Sequence, residues 1–270
     1  MKCLSCKETS HAADAKYCFR CGAYLVRDDL DVNTPIIDTI IRNMVQVDGG
    51  VLTILVPTIE EYVSDDLEIK THDFMVPSFQ MGRYQVTQEE WELVMGNNPS
   101  KHKGAKKPVE CVDLGNCQEF IKRLNIITGK NFRLPKETEW EFAARGGNKS
   151  RGFSFSGGNN LDEIAWYRNN AFKIGESNPD YGPHPVGQKQ PNELGLYDMT
   201  GNVWEWCSDF YDNQRWAHHP YAYAHAHKLS QSYAIRGGGW DSSIRFCKLH
   251  CRTSSSPAEK RENLGFRLAL

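Results

Sequence analysis

The C-terminal part of the chain carries the side chains with the clearest chemical potential. Residues 236–251 read RGGGWDSSIRFCKLHC, which places Cys247 and Cys251 four positions apart, with His250 beside the second cysteine. A deprotonated thiol is both a nucleophile and a ligand for soft metal ions, and imidazole is a common metal ligand. The C-x-x-H-C spacing does not by itself define a metal site. Two interpretations therefore stay open: a redox or metal centre, or a rigid surface that binds a ligand.

Cysteines near the N-terminus form a more specific pattern. Cys3 and Cys6 make one C-x-x-C pair, and Cys18 and Cys21 make a second. Two such pairs can complete the tetrahedral shell that structural zinc prefers. We therefore predict a zinc ribbon over residues 1–25, like the short ribbons at the front of many bacterial proteins, with zinc supplying its folding energy. Four thiolates leave no open coordination position, so the ribbon is expected to be structural and to dock the chain into a larger assembly.

Composition narrows the possible partners. The 270 residues carry a formal net charge of −2 and lack the basic surface that a nucleic-acid-binding protein needs. No apolar run approaches the ~20 residues that span a bilayer, so no membrane partner is expected. The first residues contain no apolar signal segment, and nine cysteines are an odd number for a disulfide framework. We expect a cytoplasmic protein with reduced thiols.

The segment after the predicted ribbon should connect it to a larger domain. Residues 26–42 are expected to form a linker that ends in a short amphipathic helix, because isoleucines recur at helical spacing after Pro35. The next segment, MVQVDGGVLTILVP, alternates apolar and polar residues around Gly49 and Gly50 and predicts a β-hairpin.

Three helices are predicted in the middle of the chain, in the segments VTQEEWELVMG, GNCQEFIKRLN and LPKETEWEFAARGG. Thr87 and Glu90 form a capping box at the start of the first helix, and Gly96 ends it. Beyond Gly147 the residues are rich in glycine, asparagine and aromatic side chains, which predicts structured loops between short strands.

Five segments that occur in order carry a resemblance to a known family. They read MGRYQVTQEEWELVMGNNPS, FRLPKETEWEFAARGG, HPVGQKQPNELGLYDMTGNVWEWCSDFY, RGGGW and NLGFRLAL. Together they resemble the formylglycine-generating enzyme family, also called the sulfatase-modifying-factor domain. The resemblance runs from about Met44 to the last residue. It implies a C-type-lectin-like α+β domain over residues 43–270, rich in loops, with short antiparallel strands and few helices.

The catalytic members of that family hold copper with two cysteines, and the resemblance assigns these positions here. Ser242 falls on the first cysteine and Cys247 on the second, while Gly239 replaces a serine of the preceding turn. A hydroxyl is a poor ligand for Cu(I), so copper is not expected. Our first hypothesis is therefore a non-catalytic protein that binds a ligand. The alternative is an oxidoreductase that uses Cys247 together with Cys251.

Other members of the fold resemble ligand-binding scaffolds, including the variable proteins of diversity-generating retroelements. By that resemblance, residues 240–263 form a surface for a protein or peptide ligand, framed by RGGGW and NLGFRLAL. Lys248, His250 and Lys260 depart from the expected framework residues, so the retroelement assignment is kept only as an alternative. The predicted ligand-binding residues are Trp204, Trp240, Asp241, Ser242, Ser243, Arg245, Phe246, His250, Thr253 and Ser255.

The segment YDMTGNVWEW resembles a calcium loop of the same family. The resemblance implies that Asp198 and Glu205 bind calcium through side-chain oxygens, and Gly201 and Val203 through backbone carbonyls. Alternatively, the two carboxylates cap the loop by accepting hydrogen bonds from backbone N–H groups.

A group of histidines and a group of cysteines complete the set of residues with possible chemical roles. The segment WAHHPYAYAHAHK contains His225 and His227, which would share one face of a strand and could bind a transition metal. An aromatic-rich loop is the simpler interpretation of that segment. Cys111, Cys117 and Cys207 lie among apolar residues and are expected to be buried free thiols.

Overall fold

A computed structural model describes residues 34–57, 69–211 and 231–270, together with Cys18 and Arg20. Cys3, Cys6 and Cys21 of the predicted zinc ribbon lie outside these residues, as do His225 and His227. The fourth predicted zinc ligand, Cys18, is described and is buried. Among the described helices, none has the length and apolar character needed to cross a membrane.

Short helices and short strands alternate along the chain. The helices are α1 (Pro35–Arg42), α2 (Gln88–Met95), α3 (Leu114–Thr128), α4 (Glu137–Ala144) and α5 (Leu161–Ile164), with a π-helical turn at Arg168–Phe172 and 3-10 turns at Gly147–Lys149 and Ile244–Cys247. The strands are β1 (Met44–Val47), β2 (Gly50–Pro57), β3 (Ile69–Val76), β4 (Phe79–Gly82), β5 (Trp204–Phe210), β6 (Tyr233–Arg236), β7 (Thr253–Ser255) and β8 (Leu264–Gly265). Long loops connect α5 to β5, as the distribution of glycine and asparagine predicted.

The predicted hairpin around Gly49 and Gly50 is wrong. Both strands exist, but β1 pairs with β4 and β2 pairs with β3, each antiparallel. The pairing keeps one register across the break, because Val47 lies opposite Phe79 and Gly50 lies opposite Val76. The two halves therefore form one long, interrupted two-stranded ribbon, in which the chain continues through the glycines instead of turning back.

Close backbone approach explains why a glycine occupies this interruption. A Cβ atom at Gly49 would lie only 2.7 Å from the carbonyl oxygen of Val76. The Gly49 N–H donates to Oγ of Ser78 at 2.9 Å, which joins the two chains where the regular ladder is broken. The Gly-Gly pair thus lets the chain continue from the strand paired with β4 to the strand paired with β3, whereas the alternating pattern alone predicted a turn.

The predicted helices are confirmed, and their ends follow local rules. Thr87 and Glu90 form the capping box of α2, and Gly96 ends it in the left-handed region with φ +77°. Helix α3 has a comparable box, in which Oδ1 of Asp113 accepts from the Asn116 N–H at 2.7 Å. The predicted amphipathic helix is α1, which buries Ile37 and Ile40 in the main core.

Aromatic side chains fill the core between the helices and the main sheet. The Trp91 ring stacks on Phe120 at 5.4 Å, and Phe266 packs edge-on against both. That sheet has the order β7-β6-β5-β8, in which β8 runs parallel to β5 and the other neighbours are antiparallel. Trp206 on β5 is fully buried, and its Nε1 donates to the Val112 carbonyl at 3.1 Å. The sheet therefore offers a rigid support for the loops at its ends.

Candidate functional site

Arg236, at the end of β6, fixes the start of the C-terminal segment. Its side chain is fully buried, and its guanidinium pairs with the carboxylate of Glu141 on α4. The same group donates to the carbonyl oxygens of Leu249 and Cys251. Arg252 then pairs with the buried carboxylate of Glu137 through two hydrogen bonds of 2.6 and 2.8 Å. Two buried ion pairs thus hold residues 249–252 against α4.

The turn that follows β6 is held by glycines and by Ser242. Gly237 and Gly238 have φ angles of +98° and +81°, a region that favours glycine. The Gly239 N–H donates to Oγ of Ser242 at 2.9 Å, so this hydroxyl closes the turn. A Cβ at Gly238 would lie 3.1 Å from Sγ of Cys247, which shows how tightly the turn packs on the next segment.

Trp240 is a buried anchor for the same segment. Its backbone N–H donates to the Asn202 carbonyl at 2.7 Å, and its indole Nε1 donates to the Glu262 carbonyl at 3.0 Å. The ring packs edge-on against His102 and Tyr181, at centroid distances of 5.1 and 5.0 Å. Trp240 therefore connects the two ends of residues 240–263 to the rest of the domain.

The two cysteines proposed as catalytic candidates lie in different apolar surroundings. Cys247 is buried with Phe155, Leu161 and neighbouring apolar residues, and burial raises the pKa of its thiol to about 12. Cys251 is half-buried and packs against the main core, and burial raises the pKa of its thiol too. Both thiols are therefore protonated near neutral pH, which disfavours nucleophilic attack and metal binding.

Exposure divides the predicted ligand-binding residues into two groups. Trp204, Trp240, Ser242 and Ser255 are buried and support the segment from below. Arg245 and His250 are exposed, whereas Asp241, Ser243, Phe246 and Thr253 are half-buried. Ile244 and Lys248, which lie beside Arg245 and Cys247 in the chain, are also exposed but were not among the predicted ligand-binding residues. The apolar Ile244 is 47% exposed.

Positive charge dominates the exposed residues between positions 244 and 250 of this surface. The pKa of His250 is lowered, first by burial and then by the nearby cations Lys248 and Arg145. The Arg245 guanidinium lies over the Phe246 ring, 4.4 Å from its centroid. An apolar residue beside several cations is suited to a ligand that combines carboxylates with apolar groups.

Arg261 adds an unusual feature to the same segment. Its Nε and Nη2 atoms are shielded from solvent and have no hydrogen-bond acceptor among the described residues. Burial is the main reason that the pKa of this guanidinium is lowered. Buried donors without acceptors are costly, so these two atoms are unsatisfied groups among the described residues.

The predicted calcium loop surrounds a side chain that the sequence did not point to. Gln85 is fully buried, and its Nε2 lies 3.2, 3.5 and 2.9 Å from the carbonyl oxygens of Asp198, Gly201 and Val203. Oε1 of Glu205 lies 3.0 Å from the same nitrogen. Asp198 contributes its backbone carbonyl, while its Oδ2 accepts from the N–H of Gly187 at 2.8 Å.

The carbonyl oxygens of this set suit a hard cation, whereas Glu205 is already paired with the Arg267 guanidinium. An amide nitrogen has two hydrogens, but four oxygens face the Nε2 of Gln85. Oε1 of Gln85 and Oδ1 of Asp198 are buried without a hydrogen-bond partner in the described part of the chain. Burial also raises the pKa of Asp198 to about 6. An excess of buried oxygen acceptors in one place is the arrangement that calcium uses.

A family model for the sulfatase-modifying factor enzyme 1-like domain matches residues 37–270. The chain belongs to this family. Its similarity to the formylglycine-generating enzyme of Streptomyces coelicolor is 34% identity over 146 residues, which are 51% of this chain and 46% of that enzyme. The family therefore includes this chain, although the aligned part spans less than half of that enzyme.

Other proteins match over longer stretches. The chain is 37% identical over 214 residues to Chaperone protein LppX of Paenibacillus barcinonensis, and these residues are 63% of this chain and 72% of that protein. Treponema denticola variable protein 1 is 28% identical with a TM-score of 0.66, covering 84% of this chain and 94% of that one. PvdO from Pseudomonas aeruginosa is 25% identical with a TM-score of 0.63, covering 84% and 93%. The loop-rich C-type-lectin-like fold implied by the motifs is thereby confirmed.

Sequence patterns could not have identified several residues that organise the site. Gln85 and Arg236 act through partners that are distant in the chain, and a single charged or amide residue has no periodicity to reveal it. The RGGGW motif marked the correct turn, but the sequence alone did not indicate that its arginine, Arg236, holds the turn in place. Burial of such side chains becomes visible only when α4, β5 and β6 are brought together.

Proposed function

We propose that this protein binds a protein or peptide ligand without catalysing a reaction, through a surface formed by residues 240–263. Arg245 and Lys248 contribute its positive charge, and Ile244 contributes its most exposed apolar contact. The buried residues Trp240 and Ser242 keep this surface rigid, which lowers the entropy lost when a ligand binds.

The observation that carries the proposal is the use of Ser242 and Cys247 in the turn. The Ser242 hydroxyl accepts the Gly239 N–H, and Cys247 packs among apolar side chains with its thiol pKa raised to about 12. Both positions that the family's catalysts use for copper are thus occupied by side chains with structural contacts. The oxidoreductase alternative based on Cys247 and Cys251 would require both thiols to leave these apolar surroundings.

The relatives support a macromolecular ligand over a small molecule. One relative is named a chaperone and another a variable protein, and the chain is 37% and 28% identical to them. Arg261 supports the same proposal, because its two buried donors without acceptors suit a carboxylate or carbonyl oxygen of a peptide.

Metal ions have structural roles in this proposal. A calcium ion in the β5 loop would be held by the carbonyls of Asp198, Gly201 and Val203, by Glu205, and by Gln85 after a half-turn of its amide. It would balance the charge of the buried Asp198 carboxylate, since Glu205 is already paired with Arg267, and it would stiffen the loop beneath Trp204. A zinc ribbon at residues 1–25 would dock the chain to an assembly, which we propose to lie in the cytoplasm.

Binding to a peptide array tests the surface with the full chain. We expect Lys248→Glu to lose most of the peptides that the unchanged protein retains, because it reverses a charge in the centre of the surface. Arg42→Glu is the matched control, since Arg42 is exposed on α1 and contacts only Asp38 among the ion pairs described. Equal loss in both variants, or no loss in Lys248→Glu, contradicts the proposal.

Titration with Cu(I) under anaerobic conditions tests the catalytic alternative. The full chain and Cys247→Ala should bind equal amounts of copper, because any uptake would come from other cysteines. Tight one-to-one uptake that disappears in Cys247→Ala would overturn the assignment of this protein as non-catalytic.

A further inference from the structure

A large open groove lies at the opposite end of the β5–β6 strand pair from the turn at Gly237. It has a volume of about 800 Å³ and lies between the C-terminal half of α3, the following loop, and the ends of β5 and β6. This volume is in the upper part of the range typical of ligand pockets. The surface formed by residues 240–263 does not account for this groove, whose Ser208 and Tyr233 belong to the far ends of the strands.

The base of the groove is apolar. Ile121, Phe132 and Leu134 line it and also belong to the main core, so they form a fixed floor. Ile126 on α3 also lines the groove and is 37% exposed. Asn125 fixes the loop by exchanging two hydrogen bonds with the backbone of Phe132, at 2.9 and 2.7 Å. The groove is therefore a preformed feature with apolar area available to a ligand.

All the charged side chains that line the groove are positive. Arg133 is neutralised by the Glu139 carboxylate, through hydrogen bonds of 2.6 and 2.9 Å. Lys122, Lys130 and Lys136 have no carboxylate partner in any ion pair described for residues 34–57, 69–211 and 231–270, and no acidic residue lines the groove. Lys122 and Lys136 are exposed to solvent and Lys130 is half-buried, so all three are available to pair with a negatively charged ligand.

The three lysines lie on different parts of the groove wall. Lys122 is on α3, Lys130 is in the loop that follows the end of this helix at Thr128, and Lys136 directly precedes α4. Together with the apolar floor, this distribution suits an extended ligand that carries several negative charges better than a compact anion.

We propose that this groove binds an acidic peptide segment of a partner protein, with apolar side chains on the floor and carboxylates at Lys122, Lys130 and Lys136. The site is independent of the surface at residues 240–263. It would allow the protein to hold two partners at the same time.

Fluorescence anisotropy with the full chain tests the proposal. The probe is a labelled short peptide that alternates glutamate and leucine, and the comparison probe has lysine in place of every glutamate. The acidic probe should bind and the basic probe should not, and added salt should weaken binding because exposed charges are screened. Equal binding of both probes, or of neither, overturns the proposal.

Variants separate this groove from other binding surfaces. Substituting Lys122, Lys130 and Lys136 together by Gln should weaken acidic-probe binding about tenfold or more, since each exposed ion pair contributes up to about 1 kcal/mol. Lys248→Glu should leave it unchanged, because Lys248 lies in the C-terminal surface. Ile126→Asn should weaken binding without lowering the melting temperature appreciably.

One result would assign the lysines a different role. If the triple variant melts at a lower temperature but binds the acidic probe as tightly as the unchanged protein, the lysines contribute only to stability and the proposal is wrong.

Discussion

Arg267 and Glu205 face each other through two hydrogen bonds of 2.8 Å, from Nε to Oε2 and from Nη2 to Oε1, and both side chains are completely buried. Trp140 donates a further bond of 2.7 Å to Oε2 of Glu205. The Arg267 guanidinium also donates to the carbonyls of Gly82 and Tyr197, each at 2.8 Å. This pair joins β5, α4 and the end of β4, so it holds the frame on which the C-terminal segment rests.

Removing one member of this pair should destabilise the fold strongly. Arg267→Met leaves the Glu205 charge buried without compensation, and we expect a loss of about 3–5 kcal/mol in the free energy of unfolding. Urea unfolding followed by tryptophan fluorescence measures it. The control is Arg42→Met, which breaks an exposed pair with Asp38 and should cost less than about 1 kcal/mol. Similar losses in the two variants would contradict a structural role for the buried pair.

Calcium should stabilise the loop around Gln85, and protons should compete with it. The folded-state pKa of Asp198 is raised to about 6, above its ordinary value. Without the ion, the contribution of this group to stability is therefore fully present at low pH and is lost as the pH rises through about 6. Calcium favours the charged form, so the rise in melting temperature that it causes should be larger at neutral pH than near pH 5.

Thermal unfolding with calcium or with EGTA measures this effect. Asp198→Asn should show a smaller calcium shift and a weaker pH dependence, because asparagine has no charge but tolerates the left-handed backbone at this position, where φ is +57°. Asp48→Asn, at an exposed site, is the control. Identical melting temperatures in calcium and EGTA would contradict calcium binding by this loop.

Cys247 should behave as a packing residue. Its buried thiol is expected to react with iodoacetamide far more slowly than half-buried Cys251, as mass spectrometry of peptides from the labelled native protein would show. Cys247→Ala should lower the free energy of unfolding by about 1 kcal/mol through loss of apolar contacts. Rapid labelling of Cys247 in the folded protein would instead indicate an accessible, reactive thiol.

Glu90 in the capping box of α2 should give a pH-dependent stability. Burial raises its pKa to about 7, so its stabilising contribution is present below its ordinary pKa and is lost as the pH rises through about 7. Glu90→Gln keeps an oxygen for the Thr87 N–H but cannot ionise. The melting temperature of this variant relative to the unchanged protein should therefore rise between about pH 5 and pH 8, whereas exposed Glu92→Gln should give a flat difference.

Local patterns predicted the helices because their determinants lie within a few residues. Thr87 and Glu90 recognise each other across one turn, and Gly96 needs no distant partner to end the helix. The strands after Met44 were also evident from alternation. Their pairing was not evident, because their partner strands lie between residues 69 and 82. A Gly-Gly pair is equally compatible with a turn and with an interruption between two strands.

The same distinction holds for the candidate sites. The motif around Ser242 and Cys247 located the framed segment, but its exposed residues could be separated from its supports only in the structure. The proposed calcium loop lies between Asp198 and Glu205 in the sequence, yet Gln85 reaches it from 113 residues away. Side chains that act across such separations leave no local trace in a single sequence.

The contacts of Arg267 also bear on how quickly this protein can fold. Its bond to the Gly82 carbonyl joins positions that are 185 residues apart. Forming this bond closes a large loop, and the chain loses the conformational entropy of that loop before the contact contributes to the stability of the fold. A native state organised around such distant pairs has a high contact order, so we expect α2 and α3 to form early and the frame beneath the ligand surface to be completed late and slowly.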